Sequence, residues 1–480
     1  MTTVLGHNSG QGPGPADAVP ALYPPTVVGP PRPLPLRRFL LRFVRNPLAS
    51  LPQPVYEQPI LVHDNGRSVV AWVTGPDLIE QVLLHTSELF PKTPLEKQVF
   101  AHTLGDGILT SQGANWKWQR RTAAPLFRPA DLAALVPLMT AAAADQVARW
   151  RASEPGSVQA IDRDMTETTF HVISQTMFAG SADAEAETIM KAADGALATI
   201  SWDIAAAMLR FPDWLWYPGK YRRRRLGREL REAVAAILAR RRAAGLEGDD
   251  LLARLARAQD PETGEPMSEK QLVDNLVTFL AAGHETTAKA LTWTLYLIAR
   301  APQWQERIHA EVRRVAGDDA LGAQHLDRLE VTRMVLEESM RLYPPAPIMT
   351  RMASRDLQLG GVTVPANALI VIPVFAVHRH RKLWQDPDRF DPERFAPGRK
   401  AKYARAQFMP FGFGPRTCIG MTFAMMEATV ILATLVRRAR FEWDGVHAPE
   451  PLGRVTLRPK GGMPLLVRLR DAIAAGPAAG

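Results

Sequence analysis

The chain has 480 residues and one cysteine, Cys418, set in Phe411-Gly412-Phe413-Gly414-Pro415-Arg416-Thr417-Cys418-Ile419-Gly420. A lone thiol forms no intramolecular disulfide, which leaves an inert buried side chain, a nucleophile or a metal ligand. Its neighbours favour a ligand. A helical pattern begins at Met421 and runs to Arg438, so Cys418 precedes a helix N-terminus, where unpaired N–H groups and the positive dipole end favour a thiolate. Gly414 and Gly420 let the backbone approach a flat group, Phe411 is placed to cover the sulfur, and Arg416 to pair with a carboxylate.

Other segments carry chemistry at a distance. Ala282-Gly283-His284-Glu285-Thr286-Thr287 is a polar interruption of an otherwise apolar helical pattern, and buried polar groups cost free energy unless paired or used. A Thr hydroxyl bonding back to a helix carbonyl is the structural explanation. Glu338 and Arg341 lie three apart, on one helix face, and can form an ion pair.

These residues need a scaffold. Ser268 with Gln271 makes a capping box, and the helix it opens runs from about Lys270 to Ala301, where Pro302 stops it. It is apolar on most sides and therefore central. Ala-rich helices precede it at 130–150 and 230–257, and Asp356 to Val364 alternates around Gly360-Gly361 as a β-hairpin, with a further strand at Ala368 to Val374. The fold class is mainly α with small β-sheets, an α+β arrangement. A Pro/Gly-rich tail is expected over 1–36, a single domain over 37–471, and a short Ala/Gly-rich tail over 472–480.

A net charge of +9 is not organised into a nucleic-acid module, and Arg222 to Arg225 reads as a solvated helix face. The aromatic loop Phe211 to Gly219 reads as a lid packed on the core, with peripheral membrane contact there or at Arg37 to Phe43 as the alternative. The single cysteine and the lack of a long apolar run favour a cytoplasmic, soluble monomer.

The Cys418 segment resembles the haem-binding signature of the cytochrome P-450 family, F-x-x-G-x-R-x-C-x-G, at every defined position. Glu338-Ser339-Met340-Arg341 resembles its E-x-x-R helix, Pro392-Glu393-Arg394-Phe395 the segment adding a second arginine, Trp116 to Arg120 its W-x-x-x-R helix, and Ala282 to Thr287 its oxygen-activation segment. The resemblance implies haem b held by Cys418, between the long central helix and the helix after the cysteine loop. It further implies propionate contacts from Trp116, Arg120 and Arg351, a triad of Glu338, Arg341 and Arg394 that pins the loop ahead of Cys418, a hydrogen bond from Thr286 toward O2, and a proton relay through Glu285. His284 is expected to face elsewhere. By the same resemblance the substrate pocket is lined by Ile108, Leu109, Ala281, Ala282, Pro347 and Ile348, all apolar, which suits a fatty acid, alkane or terpenoid. The implied reaction inserts one oxygen atom from O2 into a C–H bond. Electrons are expected from an external ferredoxin or flavodoxin with its reductase, since the residues after Cys418 leave no room for a reductase domain and the positive charge suits an acidic partner. A thiolate-haem peroxygenase or isomerase and a non-catalytic haem sensor are the alternatives.

Overall fold

The computed structural model describes residues 21–470, apart from Arg67, Thr86, Asp183, Ala184, Arg210 and Asp213. Helices dominate it. Those that build the site are α1 (Leu36–Arg45), α2 (Gly113–Ala123), α3 (Ile161–Phe178), α4 (Ile200–Met208), α5 (Lys220–Ala243), α6 (Glu269–Arg300), α7 (Glu330–Leu342) and α8 (Met421–Arg438). Helix α6 starts at the expected capping box, with Gln271 N–H donating to Ser268 Oγ at 3.3 Å, and its 32 residues span on the order of 48 Å. Packed on by α3, α5, α7 and α8, it is buried along most of its length. That surrounding is why its apolar residues are not confined to one stripe.

Eight short strands lie beside the helices: β1 (Ile60–Asp64), β2 (Val69–Val73), β3 (Met349–Met352), β4 (Leu357–Leu359), β5 (Val362–Val364), β6 (Leu369–Ile372), β7 (Glu450–Gly453) and β8 (Leu457–Lys460). A small third-strand set, Val158–Ala160, Ala439–Glu442 and Pro464–Leu469, closes the far side. One sheet has the order β1-β2-β6-β3, with Val70 opposite Leu369 in parallel and Arg351 opposite Ile370 antiparallel. β4 and β5 form the expected hairpin, whose turn needs Gly360 and Gly361 at φ 60° and 79°.

Two boundaries shift. Residues 21–35, read as tail from composition, run as extended chain on the body: Leu22 and Val27 pack on the core, Leu22 O accepts from Phe390 N, and Pro25 O accepts from Tyr343 Oη at 2.7 Å. Proline-rich chain needs no helix or ladder when outside donors satisfy its carbonyls. The rest of the expected N-terminal tail, and the C-terminal one, lie outside the described residues. In the basic cluster, Arg223 is buried and pairs with Asp203 at 2.6 Å, because helical periodicity turns Lys220 and Arg223 inward together.

Candidate functional site

Cys418 ends the turn-rich segment ahead of α8, and its side chain opens into a cavity of about 640 Å³. The loop is closed by Cys418 N–H donating to Phe411 O at 2.9 Å, so both residues of the signature face the same space. The expected role of Gly414 changes. It takes φ 77°, and a Cβ there would meet Leu83 O at 2.3 Å, so it serves a close backbone crossing rather than the cavity. At Gly420 a Cβ would meet nothing nearer than Phe127 at 3.9 Å, which leaves open space beside the sulfur. Burial pushes the Cys418 thiol up, and the opposing pull of the Gly420 N–H and Arg120 does not overcome it.

The loop is pinned from behind. On α7, Arg341 forms a two-pronged pair with Glu338, at 2.6 and 2.8 Å, with both side chains fully buried, and Arg394 Nε reaches Glu338 Oε1 at 3.5 Å. The remaining donors of Arg341 go to the carbonyls of His378, Pro387 and Arg389. His378, kept neutral because burial holds its pKa down at about 3, accepts from Met409 N–H at 2.9 Å, two residues before Phe411. The triad thus reaches the cysteine loop through His378, a link the sequence motifs do not contain.

A second set of arginines lines the cavity itself. Arg416 lies over the Trp116 ring, 4.1 Å from its centroid, and donates to Ser111 O at 3.1 Å. Arg120 on α2 and Arg351 on β3 line the same space, and the Arg351 side chain is half-buried rather than exposed on its strand. None of Arg120, Arg351 and Arg416 pairs with a carboxylate among the described residues. Burial together with Arg351 pushes the Arg416 guanidinium down to about 10, and the more distant Glu96 carboxylate offsets this only in part.

On α6, Thr286 Oγ donates to Ala282 O at 2.7 Å. Thr278, Thr292 and Thr294 bond back in the same way; Thr292 and Thr294 are buried away from the cavity, whereas Thr286 opens to it. His284 turns away toward α3, with its ring against Phe170 and its Nδ1 at Leu280 O. Glu285, expected in a proton relay, lines the cavity beside Thr286. Its Oε1 accepts from Thr456 Oγ at 2.6 Å and pairs with Arg458. Burial pushes its carboxyl up, yet Arg458, Lys289 and Thr456 together hold it below the usual carboxylate range. It is a paired carboxylate at this wall.

The comparisons follow this geometry. The family model described as Cytochrome P450 matches residues 28–466. The chain belongs to the cytochrome P-450 family. It is 34% identical over 420 residues to a cytokinin hydroxylase of Arabidopsis thaliana, covering 85% of this chain and 80% of that one. It is 34% identical over 372 residues to the cyclooctat-9-en-7-ol 5-monooxygenase of Streptomyces melanosporofaciens, covering 76% and 78%. The crystal structure of the cytochrome P450DA haem domain superposes with TM-score 0.79 at 26% identity, covering 94% of this chain and 99% of that one.

The P-450 residues fit haem. Cys418 offers the iron ligand, Gly420 the flat space, and Arg120, Arg351 and Arg416 an uncompensated cationic edge for two propionates, with Trp116 as the platform that fixes Arg416. A thiolate ligand pushes electron density onto iron and favours O–O cleavage, the established behaviour of haem-thiolate proteins. Ile108, Leu109, Ala281, Ala282 and Ile348 line the cavity as expected. Pro347 does not: it is buried, with its carbonyl accepting from Phe375 N–H at 3.0 Å, and Pro345 and Ala346 take its place.

Sequence reasoning missed what holds the loop of Ile108 and Leu109. Asp274 and Asn275, near the start of α6, accept from Asp106 N–H and Ile108 N–H, each at 2.9 Å, and Asn275 donates to Gln119 at 2.8 Å. Their only signal was polarity inside an apolar helix. The aromatic loop also departs from the lid reading. Trp214 is 80% and Trp216 64% exposed, while Tyr217 is anchored through Asp203 at 2.9 Å.

Proposed function

We propose that this P-450 monooxygenase carries haem b and inserts one oxygen atom from O2 into a C–H bond of a hydrophobic small molecule, with electrons from a separate ferredoxin or flavodoxin and its reductase. One observation carries the reading: a single, mainly apolar cavity onto which Cys418, Thr286 and three unpaired arginines all open. The protein's own contributions follow from that arrangement. Cys418 holds the iron, Arg120, Arg351 and Arg416 orient the macrocycle, and the apolar wall excludes water and positions the substrate. Thr286, whose hydroxyl bonds back to its helix carbonyl, is the α6 residue that presents a proton in the cavity. The formal charge of +9 supports an acidic redox partner. No single helix among the described residues is long and apolar enough to cross a membrane, and the exposed Trp214 and Trp216 support a peripheral lipid contact by an otherwise cytoplasmic monomer.

The test is the absorbance of the reduced, carbon-monoxide-bound protein. A thiolate-type band is expected in the wild type and is expected to vanish in Cys418→Ser that still binds haem. A folded, haem-loaded wild type without that band overturns the reading.

A further inference from the structure

Resting on that reading, we infer that Arg454 anchors a carboxylate at one end of an otherwise apolar substrate. Besides Arg254, which Asp131 neutralises, three arginines line or border the inner cavity away from the haem-facing set: Arg223, Arg454 and Arg458. Two are neutralised. Arg223 pairs with Asp203, and Arg458 with Glu285 and Asp194. Arg454 has no acid partner among the described residues; its Nη1 donates to Val44 O at 3.0 Å and Ser201 Oγ at 2.8 Å, both uncharged. Burial, and then repulsion by Arg458, pulls its guanidinium down.

Position gives that lack of an acid partner a meaning. Arg454 sits in the turn between β7 and β8, and the cavity wall around it is apolar, with Phe39 and Phe43 from α1 and Ile200, Ile204 and Met208 from α4. A partly desolvated cation in such surroundings is stabilised by a carboxylate far more than by water or a neutral oxygen. Ser201 Oγ, already held by Arg454, fixes the guanidinium plane. The chemical class is therefore an amphiphilic carboxylic acid whose charged end rests between α1, α4 and the β7–β8 turn, so oxidation falls on its apolar part.

The experiment is a spin-state absorbance titration of haem-loaded protein with a long-chain saturated fatty acid, its methyl ester and the matching alcohol. The wild type is expected to bind the acid at least about tenfold more tightly than either neutral chain. Arg454→Gln is expected to bring the three within about twofold, and Arg454→Lys to keep most of the preference. Equal binding of acid and ester by the wild type, or an unchanged preference in Arg454→Gln, overturns the proposal, as does the absence of a spin shift with all three. The wild-type comparison decides even where the glutamine variant fails to fold. The carbon-monoxide band of the same wild-type sample reports the haem-thiolate reading separately, and an intact band with no acid preference sinks only this inference.

Discussion

Two groups of buried arginines lie on either side of the cysteine loop, and they differ in what neutralises them. Arg341 is fully buried, yet its guanidinium is saturated by Glu338 and three carbonyls. Arg351 and Arg416 are half-buried, and their direct contacts are uncharged carbonyls and an indole face, with Glu96 acting on them only from a distance. Buried charge is tolerated when paired and expensive when not. The first group is therefore architecture, and the second holds charge in reserve for an anionic ligand.

The largest expected effect breaks the paired side. Glu338→Gln leaves Arg341 and Arg394 as uncompensated buried cations, and the expected loss is about 3–5 kcal/mol of stability, read as a large fall in Tm and in haem-loaded yield. An unchanged Tm would remove the triad from the architecture.

The mirror case is an acid without a cation. Glu427 on α8 is fully buried and faces the Thr287 hydroxyl of α6, with no cation paired to it among the described residues. Burial pushes its carboxyl up to about 8, from an ordinary 4.5, so the folded protein keeps this proton where the unfolded chain has lost it. The sign follows: Glu427 makes stability fall as pH rises from about 4.5 to about 8, and level above that. Glu427→Gln is expected to match the wild type near the low end of this window and to exceed it by a few kcal/mol at the high end. Parallel denaturation curves at the two pH values check this, and a variant that tracks the wild type at both would refute it.

On the unpaired side, Arg416→Leu is expected to leave the Tm of haem-free protein unchanged or raised, while haem transfer to an acceptor protein speeds by about tenfold. A large Tm drop without faster transfer would move Arg416 into the architectural group. The smallest effect contrasts two threonines of one helix. Thr286→Ala is expected to lower product formed per reductant consumed by about twofold or more, and Thr292→Ala, buried and equally back-bonded, to leave it unchanged.

Much of this was legible before folding. Helix α8 begins and ends where its pattern does, α6 begins at its capping box, and the Gly360-Gly361 hairpin forms in register, because caps, periodicity and turn conformation are decided by neighbours along the chain. Cys418, Arg416 and Thr286 were readable because their motifs are local. The departures share one cause. The partners of Glu285 lie at Thr456 and Arg458, the hold on Ile108 comes from Asn275, and the packing of Leu22 and Pro25 depends on Phe390 and Tyr343.

By itself, then, the sequence determined the element types, the family and the class of chemistry, all properties of short segments. Only the tertiary structure decided which charges are spent and which are free: that Glu285 is paired, that Pro347 faces inward, that Trp214 faces outward, and that Arg454 stands unpaired in an apolar wall. The state of a buried charge depends on groups brought near it by the fold across hundreds of residues, and no local pattern encodes that.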